Sequence, residues 1–463
     1  MTAATHRSAG EIGRTERGPR PVPGLGEQRA AADLAHTDTV LANGLRVLAV
    51  RKANVPMVEA RLAIPFAADD PMHPATAEVL AETIATGTAR RDRVAIDTEL
   101  ALIGGDLGTA VDPEHLTLSG GALASGLPTL LDVLADVLTA ATHADNEVAR
   151  ERARIVERLA VARTQPRVIA REALQRRRYG DHPYTREVPQ PGDVERVGPE
   201  AVRALHASAV LPGGAVLVLV GDLDPDAAVG DVERALGEWR SDRRATEMPE
   251  LPDLAAGDLL LVPRAGAVQS QLRLSAQALP RTDPRYPALQ LANLAFGGYF
   301  SSRLVENIRE DKGYTYGAQS GFEFTGNKAT LQVEADTASE VTAAALLETR
   351  YELGRLGLVP PTAEEVESVR QYAIGSLLIG ASSQAGLASQ LTALATVGLG
   401  VDWLAGHPER VAAVTAEQVA EAALEFFAPS RFTGVVVGDA DTLARPLTAL
   451  GGVSIGEPGA AGS

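Results

Sequence analysis

The 463-residue sequence contains no cysteine, which removes disulfides, thiolate metal sites and a thiol nucleophile at once. Aromatic residues make up only 4% of the chain, so its cores must be built from Ala, Leu and Val. No stretch approaches the roughly 18–20 uncharged apolar residues of a membrane span. The N-terminal segment MTAATHRSAGEIGRTERGPRPVPG has no apolar run of the kind a secretory signal carries, and a cytoplasmic location is expected. Positive charge is also short: 43 Lys and Arg face 60 Asp and Glu, a formal balance of −17. Nucleic acid duplexes and anionic membranes would repel such a chain, so neither is expected as a partner. There is no Gly-x-Ser-x-Gly elbow and no phosphate loop. What the chain does have is apolar material, 45% of its residues, enough for the cores of two or three domains.

Residues 1–36, rich in Gly, Pro, Arg and Ala without periodicity, read as a disordered tail. Thr39–Val50 carries a strand pattern split by Asn43-Gly44, a hairpin-turn dipeptide, and Val58, Ala60, Leu62 and Ile64 alternate as a half-buried strand does. Helices are expected at about 75–86, 93–102, 127–140, 145–179 and 199–210, and strands near 106–111, 115–121 and 215–220. The polar, proline-bearing stretch 241–257 reads as a linker between two domains, 37–240 and 258–450, and 451–463 as a flexible tail. The second half repeats the first. Strands are expected at 258–263 and 270–277, then a helix with Asp283 as N-cap and Pro284 in its first turn. Thr362 with Glu365, and Thr415 with Gln418, form capping-box pairs. Val197, Glu200, Val202, Pro212, Val218, Val220, Gly221, Asp222 and Asp224 match Val414, Glu417, Val419, Pro429, Val435, Val437, Gly438, Asp439 and Asp441 at a constant offset of 217. A fixed offset of domain size implies a duplicated α/β (α+β) domain; the fold expected is two such copies, each an antiparallel-rich sheet with helices mainly on one face.

The most specific segment runs from Gly297-Gly298-Tyr299-Phe300-Ser301-Ser302-Arg303-Leu304 through Asn307-Ile308-Arg309-Glu310-Asp311-Lys312-Gly313-Tyr314-Thr315-Tyr316-Gly317. It predicts a turn, a short helix over about 300–311, a stop at Gly313 and a strand from about Thr315 to Phe324. On residue types alone, the plain reading pairs Arg309 with Glu306 and sets Tyr316 against a sheet edge. The segment resembles the C-terminal-domain signature of the pitrilysin/insulinase family of zinc peptidases: Ser-Arg-Leu, then Arg-Glu-x-x-Gly-x-x-Tyr. The resemblance covers nearly all of residues 37–450. It includes Gly104-Gly105-Asp106-Leu107, the helix over 147–164 and His182-Pro183-Tyr184, where His182 reads as a turn feature rather than a ligand. It implies that Arg309 and Tyr316 form the pair that holds a substrate backbone and stabilises the oxyanion beside a zinc site.

Active members of that family carry His-x-x-Glu-His before a Gly-Thr turn. Anchored on Gly87-Thr88, the five positions here are Glu78, Val79, Leu80, Ala81 and Glu82. Both histidine ligands are glutamates and the general base is alanine, while the third ligand position falls on Arg158. The eight histidines hold no pair spaced by three to five residues, and Glu78 with Glu82 reads as a solvated helix face rather than a hard-metal site. The resemblance therefore implies a non-catalytic subunit without a metal or cofactor of its own. Such a chain pairs as a heterodimer with a zinc-bearing homologue that cleaves unfolded peptides, and lends Arg309 and Tyr316 to that partner's site. The alternative is a proteolytically idle scaffold or peptide-binding subunit.

Overall fold

Gly44 takes φ +89°, a value glycine adopts without a Cβ clash, and it folds β1 (His36–Val40) back onto β2 (Arg46–Arg51) as an antiparallel pair. The Asn43-Gly44 turn is thus where the sequence puts it. The structure is a computed structural model describing residues 34–326 and 328–456. It also describes two short strands, Arg14–Thr15 and Gly18–Pro19, that pair with each other in a separate unit. The remainder of the tail expected over 1–36 lies outside the described residues up to Asp33, and His36 already belongs to β1.

In the first lobe the chain continues through β3 (Met57–Pro65), α1 (His73–Thr83), α2 (Arg93–Leu102), β4 (Asp106–Val111), β5 (His115–Leu123), α3 (Leu127–Ala140) and α4 (Asp145–Ala162). It then forms α5 (Pro166–Tyr179), α6 (Pro199–Ala209), β6 (Val216–Gly221) and α7 (Pro225–Leu236). The six strands lie in the order β1-β2-β6-β3-β5-β4, all antiparallel except β2 with β6. The second lobe repeats this with β7 (Leu259–Pro263), β8 (Gln269–Gln277), α8 (Tyr286–Asn293), β9 (Thr315–Thr325), β10 (Lys328–Ala338), α9 (Thr342–Leu358) and α10 (Ala363–Gly380). There follow α11 (Gln384–Ala395), α12 (Val401–Ala412), α13 (Ala416–Phe426), β11 (Thr433–Gly438), α14 (Ala440–Leu450) and β12 (Val453–Ile455). Its order is β9-β10-β8-β11-β7-β12. The offset of 217 read from the sequence carries α6 onto α13 and β6 onto β11, end to end.

Every residue of β6 and β11 is buried, which requires cover on both sheet faces. Each lobe's own helices cover one face. The other face is covered by a helix from the opposite lobe. Leu387, Ala388, Leu391, Leu394 and Ala395 of α11 pack on Leu48, Val50, Val216, Val218 and Val220 of the first sheet. Ala170 and Leu174 of α5 pack on Val262, Val435 and Val437 of the second. α5 and α11 are counterparts in the duplication, so the exchange is reciprocal. Polar contacts reinforce it: buried Arg178 pairs with Glu323 at 2.5 Å, and Thr325 donates to the Tyr184 hydroxyl at 3.1 Å.

Several boundaries differ from expectation. The helix expected over 145–179 is two helices, because Pro166 lacks an N–H and holds Gln165 extended (φ −73°, ψ 127°). Asp283 is not an N-cap; its carboxylate accepts the Arg285 N–H at 2.8 Å in a turn, and α8 starts at Tyr286. The tail expected from 451 begins instead with β12, which adds a parallel sixth strand beside β7. Residues 241–257 carry no regular structure, yet Met248 and Leu251 pack on Tyr179 and Tyr184. Both capping boxes form as expected. Among the described residues, no helix is long and apolar enough to cross a membrane.

Candidate functional site

The positions matched to zinc ligands do meet in space. Glu78 and Glu82 lie one turn apart on α1 and face α4. From α4, Arg158 donates through Nη2 to Glu78 Oε1 at 2.5 Å and through Nη1 to Glu82 Oε1 at 2.7 Å, while Arg154 reaches Glu82 Oε2 at 3.5 Å. Burial pushes the Glu78 carboxyl above the usual carboxylate range; Glu82 adds to that and Arg158 opposes it. Burial is the largest single influence on the Arg158 guanidinium and works to lower it, but the hydrogen bonds and charge pairing with Glu82 and Glu78 together outweigh it and hold the group above its ordinary value. At the position matched to the general base, Ala81 presents a buried methyl, and its carbonyl accepts the Thr109 hydroxyl of edge strand β4 at 2.5 Å. This set does not fit zinc. A guanidinium has no lone pair to donate and already satisfies the carboxylates from between them. Among the described residues, no group of three His, Asp or Glu side chains could hold a metal ion.

A buried histidine chain beside this site has no signature in the sequence. His143 Nδ1 lies 2.8 Å from the Thr83 hydroxyl, one residue after Glu82, and His143 Nε2 lies 2.9 Å from His206 Nδ1. His206 Nε2 faces the Leu138 carbonyl at 2.9 Å. A carbonyl only accepts, so that nitrogen carries the proton and His206 Nδ1 accepts from His143. His143 is fully buried and holds φ +42°. Burial first, then the charges of His206 and Arg203, pushes its pKa down to about 3. The partners come from positions 83, 143 and 206, too far apart in sequence for spacing to signal the chain. His73, the first residue of α1, packs on Phe66 with ring centroids 5.2 Å apart. His182 accepts the Tyr184 N–H and lies 3.1 Å from the Pro249 carbonyl; it is a turn and packing feature.

The Arg309/Tyr316 segment belongs to the second lobe and is built from unusual backbone. In place of one short helix over 300–311 there is one α-turn, Arg303–Val305, flanked by two π-helical stretches, Leu294–Gly298 and Glu306–Asp311. Each π turn adds a residue and rotates the downstream side chains around the helix axis. Gly313 ends the segment at φ +64°. β9 then pairs Thr315 with Thr337 but Ala318 with Ala335, a one-residue bulge that pushes Tyr316 outward. The buried Thr315 hydroxyl pins the bulge, donating to the Asp336 carbonyl at 2.7 Å and accepting the Gly317 N–H at 3.1 Å. Arg303 anchors the segment through Glu365 at 2.8 and 3.0 Å and the Val359 carbonyl at 2.7 Å. Arg303 in turn holds the Glu365 carboxyl below its ordinary range.

Arg309 and Tyr316 come together on the surface, with the guanidinium carbon 5.8 Å from the Tyr316 ring centre. Tyr316 is 94% exposed. The carboxylate at ion-pair distance from Arg309 is Glu310, 3.5 Å from Nε, rather than Glu306. A third side chain was not singled out by sequence reasoning: the Phe300 ring centre lies 4.5 Å from the Arg309 guanidinium.

Comparison with known proteins places this geometry. The insulinase (peptidase family M16) model matches residues 46–192, and the peptidase M16 inactive-domain model matches residues 196–372. An uncharacterized zinc protease of Streptomyces coelicolor is 27% identical over 241 residues, 50% of this chain and 52% of its own length, so the chain spans about half of that relative. An uncharacterized zinc protease of Mycobacterium leprae is 26% identical over 322 residues, 67% of this chain and 71% of its own. The solved peptidase M16 inactive domain from Pseudomonas fluorescens superposes with TM-score 0.79 at 24% identity, covering 87% of this chain and 98% of that one. A protease from Helicobacter pylori gives 0.79 at 16% identity, covering 87% and 99%. At these identities the structural likenesses show the fold. Two models of one family, running almost continuously from residue 46 to residue 372 over the duplicated fold, make this chain a member of the M16 (insulinase) peptidase family.

Proposed function

We propose that this chain is the non-catalytic subunit of a zinc-dependent endopeptidase, a cytoplasmic protein that forms a heterodimer with a homologue carrying an intact His-x-x-Glu-His. The observation that supports this most is the ion-paired Glu78–Arg158–Glu82 set at the positions matched to metal ligands. It supplies no means of polarising water. The partner would hold the zinc and activate the water, and this chain would bring an extended peptide into register. Arg309 and the Tyr316 hydroxyl would donate hydrogen bonds to the scissile carbonyl oxygen as negative charge builds on it. The exposure of Tyr316, with half-buried Arg309 beside it at the surface, suits a pair that acts on another chain's substrate rather than within its own lobe.

The test is reconstitution of the full chain with a zinc-motif homologue from the same genome, measuring zinc content and cleavage of a dye-quenched casein. The pair should cleave, and the isolated chain should neither cleave nor retain stoichiometric zinc. Arg309→Ala and Tyr316→Phe should each lower kcat by about ten- to a thousandfold. A change below twofold in both would leave the idle-scaffold reading in its place.

A further inference from the structure

We propose that Phe300 is a positioning residue for Arg309, a stacking surface that fixes the guanidinium while leaving its hydrogen-bonding edge open to substrate. The inference rests on the function proposed above and adds a residue to it.

Two arginines of one segment show the contrast. Arg303 is buried and spends its donors on Glu365 and the Val359 carbonyl, so it has a structural role. Arg309 is held differently. Its guanidinium lies against the Phe300 ring at 4.5 Å, with the Tyr316 ring at 5.8 Å. The five N–H groups of a guanidinium point outward in its plane, and an aromatic ring attracts the cation through the face. Packed face to face, such a contact restricts the side chain without consuming an N–H. A carboxylate clamp would restrict it equally and block the edge that must meet a carbonyl oxygen. Among the described residues, the one carboxylate at ion-pair distance from Arg309 is Glu310, and its shortest approach, 3.5 Å to Nε, is looser than the 2.8 and 3.0 Å clamp of Glu365 on Arg303.

The placement of Phe300 is otherwise hard to account for. The chain has eight phenylalanines. Phe66, Phe296 and Phe427 are among the largest fully buried side chains, whereas Phe300 is 66% exposed. Its ring is set out by the bend between the two π-helical stretches, on the side where the second stretch aims Arg309. A large apolar ring left in water contributes little to folding. Its contact with Arg309 gives it a use.

The test takes the reconstituted pair with dye-quenched casein and compares wild type, Phe300→Ala, Phe300→Trp, Arg309→Ala and the Phe300→Ala/Arg309→Ala double variant. Phe300→Ala should lower kcat about three- to tenfold with KM within twofold, and Phe300→Trp should stay near wild type. In the Arg309→Ala background, Phe300→Ala should have no further effect, since the ring then has nothing to hold. In the isolated chain, the Arg309 Nε–H proton resonance should show an upfield ring-current shift that collapses in Phe300→Ala. Equal factors in both backgrounds would overturn the proposal, as would a wild-type resonance without that shift. So would an unchanged kcat in Phe300→Ala while Arg309→Ala is strongly impaired. If Arg309→Ala itself is silent, the failure belongs to the proposed function and takes the role of Phe300 with it.

Discussion

Replacing Arg158 by methionine removes the cation between two acids while keeping most of the apolar stem. Glu78 and Glu82 would then face each other one helical turn apart, with Arg154, 3.5 Å from Glu82, as the remaining counter-charge. In the native chain the bonds lost are 2.5 and 2.7 Å long. The side chains are partly hydrated, 47% exposed for Arg158, 24% for Glu78 and 28% for Glu82. A fully buried pair broken on one side costs about 3–5 kcal/mol, whereas exposed pairs contribute about 0.2–1 kcal/mol each. Two half-exposed bonds and a new like-charge pair fall between, at about 1–2 kcal/mol. Urea unfolding at pH 7.5 should show that loss as a lower midpoint with an unchanged slope. The sign with pH is fixed by Glu78, whose carboxyl is already raised by burial and would rise further without Arg158. A group with a raised folded pKa takes up its proton in the folded state first. The deficit should therefore narrow as the pH falls toward 5. In a Glu78→Gln/Glu82→Gln background, Arg158→Met should cost less than half as much. An undiminished midpoint at pH 7.5, or a deficit that widens on acidification, would refute this account of the site.

Two further outcomes follow from the packing. Leu391, wholly buried between α11 and the first lobe's sheet, should cost about 2–4 kcal/mol as Leu391→Ala, with both lobes unfolding in one transition by circular dichroism; two resolved transitions would contradict the exchanged-helix packing. His143 is kept neutral to about pH 3 in the fold but protonates near 6.5 when unfolded. Its contribution is complete above pH 6.5 and drains away at about 1.4 kcal/mol per pH unit as the pH falls from 6.5 toward 3. His143→Asn, which tolerates the left-handed backbone without titrating, should show a shallower loss between pH 6.5 and 4.5; parallel curves would rule the histidine out as the cause.

The elements legible in the sequence are those whose cause is local or periodic. Both capping boxes, the Asn43-Gly44 turn, the strands and the register carrying β6 onto β11 follow from alternation, turn chemistry and the repeat at 217 positions. Apart from Pro166 and Asp283, which are local, the features that differ from expectation have another origin. Pro166 is a local signal set inside a continuous helical pattern, and it breaks that pattern because the residue before a proline resists helix. The π turns around Arg309 and the bulge at Thr315 are set by tertiary anchors, Arg303 on Glu365 and Thr315 on Asp336, which lie 62 and 21 residues away in sequence. The Thr83–His143–His206 chain and the stacking of Phe300 on Arg309 exist only once separate elements meet. The Glu78–Arg158–Glu82 set lay between these cases: motif matching supplied its members, and the fold supplied the bonds that join them.

The reciprocal loan of α5 and α11 has a consequence for how such a chain came to be. A half-chain expressed by itself would bare the aliphatic strip over β6 or β11 and hold out a helix with nowhere to dock. Two unlinked halves could cure this only by meeting at sufficient concentration. Joining them in one polypeptide makes that encounter intramolecular, so the swap no longer depends on dilution, and each half becomes free to diverge while the other guarantees its closure.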